Sequence, residues 1–223
     1  MIIVCSGLIG AGKSTLCNRL CESLDGVPFR EPVDDNPYLE LFYQNPKEYG
    51  FSMQIKLLKN RLDLYKDAMS ASAKGRYAIC DRSIYEDWAF AYVNYECGNI
   101  KKIDMQTYNE WHTDFTGRHV PYPDLILNLK CGIDTLIKRI GERNRECEQN
   151  GAVPPEYLAA LGHAYEICFK KLSKHTRIVD IDAEQDADGV LHDALDAVFR
   201  RKSEITEGDA DFGDFSPVYH GGF

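Results

Sequence analysis

Apolar positions along the chain form short runs separated by longer stretches in which they recur every three or four residues. IIVCS at 2–6, RYAIC at 76–80, DLILNLK at 124–130 and RIVDI at 177–181 are the runs, and GVPFRE at 26–31 reads as a further short strand. Runs of that length without polar alternation predict strands buried on both faces of a sheet. Between them the pattern predicts helices over 13–24, 39–43, 51–72, 81–95, 104–118, 133–143, 154–173 and 187–201. Pro32 and Pro37 mark a loop before the second of these, and Pro121 and Pro123 break the chain ahead of DLILNLK. Strands alternating with helices predict an α/β fold: a five-stranded, mainly parallel sheet with helices on both faces.

The first strand runs into GLIGAGKST, that is Gly7, Leu8, Ile9, Gly10, Ala11, Gly12, Lys13, Ser14 and Thr15. A strand, a G-x-x-x-x-G-K-[ST] loop and a helix in that order make a phosphate cradle. Backbone N–H groups turn inward, and the helix N-terminus adds partial positive charge. Lys13 is expected to reach the outer phosphates of ATP or GTP, and Ser14 to offer its hydroxyl to Mg²⁺. Asp81 closes RYAIC, with Arg82 and Ser83 beside it, at the sheet edge where ligands bind. A carboxylate there can hold a magnesium-bound water or act on an acceptor hydroxyl; the plainer reading is a helix cap. In KRIGERNRECE, Arg139 and Arg143 share a helix face and Arg145 follows. They are expected to sit in a closing lid at about 143–153, the alternative being a solvated charged face.

An acceptor site is legible elsewhere. Glu31 ends the second predicted strand, which favours it over Asp34 and Asp35 of the following loop as the group that takes a proton from an attacking hydroxyl. Phe51, Gln54, Leu58 and Arg61 make one helical stripe, on which Gln54 and Arg61 want partners. A side-chain amide donates and accepts at once, which suits a nucleobase edge. Asp87 and Phe90 offer a carboxylate and a ring that can stack. An Arg61–Asp87 pair bridging two helices without a ligand is the alternative.

Composition narrows the partners. With 26 basic against 35 acidic residues the net charge is -9, which argues against a nucleic-acid partner. Eight cysteines show no close Cys-x-x-Cys pair and read as free thiols of a reducing compartment rather than a zinc site. MIIVCSG carries no leader-like extension, and no apolar run approaches the roughly 20 residues needed to span a bilayer. A cytoplasmic protein without a membrane partner is expected. Residues 1–202 read as one domain, and 203–223, with five acidic residues and no Lys or Arg, as a loose tail.

GLIGAGKST, REPVDDNPYLELFY, FSMQIKLLKNR, DRSIYED and RIGERNRECEQ…PPEYL occur here in the order in which their counterparts occur in the deoxynucleoside kinases. The chain resembles that family of deoxycytidine, deoxyguanosine and deoxyadenosine kinases over residues 7–157, and the whole length fits. The resemblance implies a P-loop kinase fold with an arginine-bearing lid. It implies phosphoryl transfer from ATP, with Mg²⁺, to the 5′-hydroxyl of a deoxynucleoside.

Glu31 matches the family's glutamate that deprotonates that hydroxyl. Asp81 and Arg82 match its acidic-Arg-Ser motif near the phosphates, whose acidic member is sometimes given the base role instead and here, with Ser14, is expected at the metal. Lys13 and Arg143 are expected to act on the transferred group. By resemblance Tyr43 and Glu148 hold the sugar 3′-hydroxyl, Gln54 reads the base and Phe90 stacks on it, while Arg139, Arg143 and Arg145 match the lid arginines. The lid carries about one extra residue, so Glu146 competes with Glu148. Retaining both Arg61 and Asp87 resembles deoxycytidine and deoxypurine kinases, and EPVDDNPYLE…FYQNP is closer to the small deoxyadenosine and deoxyguanosine kinases. The family forms homodimers. A deoxycytidine or broad-specificity kinase, a nucleoside monophosphate kinase and a nucleotide-controlled switch are the alternatives.

Overall fold

The computed structural model describes residues 1–31, 36–143 and 153–209, with side chains to residue 207. Five strands, β1 (Ile2–Gly7), β2 (Val27–Phe29), β3 (Ala78–Asp81), β4 (Leu125–Lys130) and β5 (Arg177–Asp182), form one sheet in the order β2-β3-β1-β4-β5. Every pairing is parallel. Successive strand side chains point to opposite faces, so Ile2 and Val4 enter one core while Ile3 and Cys5 enter the other.

The first core is roofed by α3 (Pro46–Ala73), α4 (Asp87–Glu96), α5 (Lys102–Asp114) and α7 (Pro155–Leu172). The second is closed by α1 (Lys13–Leu24), α6 (Ile133–Arg143) and α8 (Ala187–Asp209). The short α2 (Leu39–Gln44) packs through Phe42 on Met53 and Leu57 of α3. Among the described residues no helix is long and apolar enough to cross a membrane.

Several boundaries depart from the sequence pattern for local reasons. Helix α3 starts five residues early, because Pro46 sits in its first turn, where a missing N–H costs nothing. Gly50, which looks like a breaker, is instead a close approach: a Cβ there would stand 2.7 Å from the Asn99 carbonyl oxygen. Strand β2 ends at Phe29, two residues short of Glu31.

Helix α4 begins only at Asp87, because Arg82 adopts a left-handed φ of 71° and the chain then turns at 84–87, where Asp87 N–H donates to the Ile84 carbonyl. The last described helix α8 reaches Asp209, past the expected start of the tail at 203. Its extension is held by an Arg201–Glu204 pair at 3.0 Å and by Thr206 Oγ1 donating to the Lys202 carbonyl. A five-residue π-helical turn, Phe115–His119, continues α5.

Candidate active site

The loop after β1 and the carboxyl ends of β2 and β3 open onto one cavity of about 610 Å³, a size suited to small-molecule ligands. Ile9 to Thr15 form its floor. Gly10 takes φ +85°, and a Cβ there would stand 2.9 Å from the Leu136 carbonyl oxygen, so the loop needs glycine at this position. Gly7 and Leu8 do not line the cavity but anchor the site through their carbonyls. Gly7 accepts from Arg82 Nη1 at 3.2 Å, and Leu8 accepts from Lys13 Nζ at 2.7 Å.

Lys13 is 8% exposed. Burial first and then the Arg82 guanidinium lower its pKa to about 7, against the opposing pull of Asp81, Glu86 and Glu31. Ser14 Oγ donates to Asp81 Oδ2 at 2.5 Å, which brings the two expected metal-side residues together. Hard oxygen donors of this kind suit Mg²⁺.

The opposite wall carries the candidate acceptor residues. Glu31 Oε1 lies 2.6 Å from Arg61 Nη2, and Glu31 Oε2 lies 3.7 Å from Arg82 Nε. Two arginines therefore fix Glu31, where the sequence suggested a strand end would. Phe90 lines the cavity beneath both, with the Arg61 and Arg82 guanidinium carbons 5.1 and 4.7 Å from its ring centre. Tyr43 also lines the cavity, beside Phe42, Met53 and Leu57.

Gln54 and Asp87 are placed differently from the expectation. Both are fully buried, and neither lines the cavity. Asp87 accepts from Arg61 Nη1, from Tyr108 Oη, and from Gln54 Nε2 at 2.9 Å. A carboxylate taken out of water requires such donors, and they draw Gln54 inward. The bridging Arg61–Asp87 pair is thus present, and Glu31 extends it into the cavity. Burial opposes the Arg61 charge, but Glu31 and Asp87 outweigh that and raise its pKa. Gln54 Oε1 is left buried without a hydrogen-bond partner.

Of the expected lid arginines, Arg143 lines the cavity from the end of α6. Arg139 also lines it, but donates through Nη2 to the Ala183 carbonyl at 2.8 Å, which ties α6 to the loop after β5. Asp34, Asp35, Arg145, Glu146 and Glu148 lie outside the described residues.

Sequence reasoning missed the group behind Arg82. Ser6, Glu86 and Tyr165 are buried there: Ser6 and Tyr165 donate to Glu86, and Arg82 Nη1 donates to Glu86 and Tyr165. The four-residue spacing of Arg82 and Glu86 in DRSIYED was a signal, overshadowed by the neighbouring Asp87. Tyr108 carried no signal, because its role depends on α5 meeting α4.

A family model described as deoxynucleoside kinase matches residues 3–200. A deoxyguanosine kinase of Lactobacillus acidophilus is 41% identical over 190 residues, covering 82% of this chain and 81% of that protein. A deoxyadenosine kinase of Dictyostelium discoideum is 37% identical over 180 residues, covering 81% of this chain and 71% of its own length. Among solved structures, a deoxyadenosine kinase from M. mycoides with bound dATP superposes with a TM-score of 0.79 at 30% identity, covering 89% of this chain and 99% of that one.

Proposed function

Because the chain belongs to the deoxynucleoside kinase family, we propose that its cavity transfers the γ-phosphoryl group of ATP to the 5′-hydroxyl of a purine deoxynucleoside. The observation that carries this reading is the placement of Glu31. Its side chain, 8% exposed, lies between Arg61 and Arg82 in the same cavity as Lys13, Ser14 and Asp81. A phosphate donor on the glycine loop and a hydroxyl beside Glu31 would share one cavity.

In this reading Glu31 accepts the proton of the 5′-hydroxyl. Lys13, Arg82 and Arg143 face the charge that builds on the transferred group. Ser14 and Asp81 would hold Mg²⁺, which would supply charge neutralisation at the phosphates. Phe90 supplies a stacking face and Tyr43 a sugar contact, while Gln54 stands behind the cavity wall and holds Asp87 through its amide. Deoxyadenosine and deoxyguanosine are assigned from the substrates named for the relatives. Deoxycytidine is the second reading, favoured by a Bacillus subtilis deoxyadenosine/deoxycytidine kinase that is 35% identical over 149 residues. The same reading places the enzyme in the cytoplasm as a homodimer, with its kinase domain extended from the expected residue 202 to the end of α8 at Asp209.

Glu31→Gln tests the assignment. General-base catalysis contributes about 10²- to 10⁴-fold, so kcat, followed by coupled ADP release, is expected to fall by that order. Turnover close to wild type would remove Glu31 from the mechanism.

A further inference from the structure

Glu86 is a carboxylate with no exposed surface, held at the start of α4 and off the cavity wall. Burying such a group is costly unless donors surround it, and here they do. Ser6 Oγ donates to Oε2 from the end of β1, while Tyr165 Oη donates to Oε1 at 3.3 Å from the middle of α7. Arg82 Nη1 donates to the same Oε1 at 3.4 Å. That nitrogen also donates to Tyr165 Oη, and to the Gly7 carbonyl at 3.2 Å. One corner of the guanidinium is therefore held by three acceptors, from β1, from the residue that caps α4 and from α7.

Arg82 reaches this position from a left-handed backbone conformation, φ 71°, which a non-glycine residue adopts only at a cost in strain. The strained backbone and the buried acid have one geometrical product: a guanidinium fixed at the cavity between the glycine loop and Glu31. We propose that Glu86, held by Ser6 and acting directly and through Tyr165, is a positioning residue for Arg82, holding its Nη1 so that the remaining edge of the guanidinium faces the transferred phosphoryl group. The inference rests on the reading of Arg82 given above.

A glutamine fits the same space. Its amide can donate to Ser6 Oγ and its oxygen can accept from Tyr165 and Arg82, but it loses the charge. Glu86→Gln is therefore expected to fold, to lower kcat about 10- to 100-fold and to leave KM for the deoxynucleoside within about threefold. In an Arg82→Lys background the same change should cost less than about twofold, because a residue acting through Arg82 has nothing left to position. Losses that multiply across the two backgrounds, or an unchanged kcat in Glu86→Gln, overturn the proposal.

A crystal structure of Glu86→Gln separates this inference from the kinase reading. Displacement of Arg82 Nη1 from the Gly7 carbonyl supports positioning whatever reaction the site performs, and an unmoved guanidinium overturns it. A wild-type protein without deoxynucleoside-dependent ADP formation contradicts the kinase reading alone. If Glu86→Gln fails to fold, Tyr165→Phe carries the same test, because its ring keeps the edge contacts with Phe90 and Phe169.

Discussion

The buried ammonium of Lys13 makes ATP binding a proton-linked event. Burial and Arg82 lower its pKa to about 7, so its charge is lost as pH rises through the neutral range. A polyphosphate on the glycine loop supplies the missing counter-charge and moves the pKa up, toward or beyond the ordinary lysine value. Binding at pH 8 should then take up a large fraction of one proton per nucleotide.

The sign follows from the direction of that change. A base whose pKa rises on binding favours the complex at lower pH, so affinity weakens above pH 7, by nearly tenfold between pH 8 and 9. Titration calorimetry with a magnesium complex of a non-hydrolysable ATP analogue, in buffers of different ionisation enthalpy, reads the proton count as a slope. Lys13→Arg, which stays charged throughout, should bring the slope to zero. A wild-type slope of zero at pH 8, or one that survives Lys13→Arg, would refute the reasoning.

Two further outcomes bear on the packing that carries the site. Removing Arg61 leaves Glu31 and Asp87 without their shared cation. Arg61→Ala should therefore lose about 3–5 kcal/mol in denaturant unfolding, and adding Asp87→Ala should recover part of it; strictly additive losses would contradict the network. At Gly50, where a Cβ would meet the Asn99 carbonyl oxygen at 2.7 Å, Gly50→Ala should cost about 1–3 kcal/mol by overpacking. An unchanged unfolding midpoint would show that α3 can shift freely there.

How much of this was legible in the sequence depended on the range of the interaction. The five strands and the glycine loop were legible because short apolar runs and local turn chemistry dictate them within a few residues. Asp81 and Ser14, 67 residues apart, were assignable together only because each closes a strand or opens a helix at the same sheet edge. Glu31 was singled out for the wrong reason. Its strand stops at Phe29, and its position comes from Arg61 and Arg82.

The inward turn of Gln54 and Asp87 was not legible either, because it depends on Tyr108 arriving from α5. Nor was the Ser6–Glu86–Tyr165 group, whose members lie about 80 residues apart along the chain. Buried charge is satisfied by tertiary neighbours, and no local periodicity announces which neighbours those will be.

The central claim is that one cavity joins a nucleotide on the glycine loop to a purine deoxynucleoside beside Glu31. Measuring kcat/KM for the four deoxynucleosides with magnesium ATP tests it most directly. The account predicts 5′-monophosphate formation, with deoxyadenosine or deoxyguanosine the preferred acceptor and thymidine the poorest. A preference for thymidine would contradict the substrate assignment, and ADP released without any deoxynucleoside phosphorylated would contradict the claim itself.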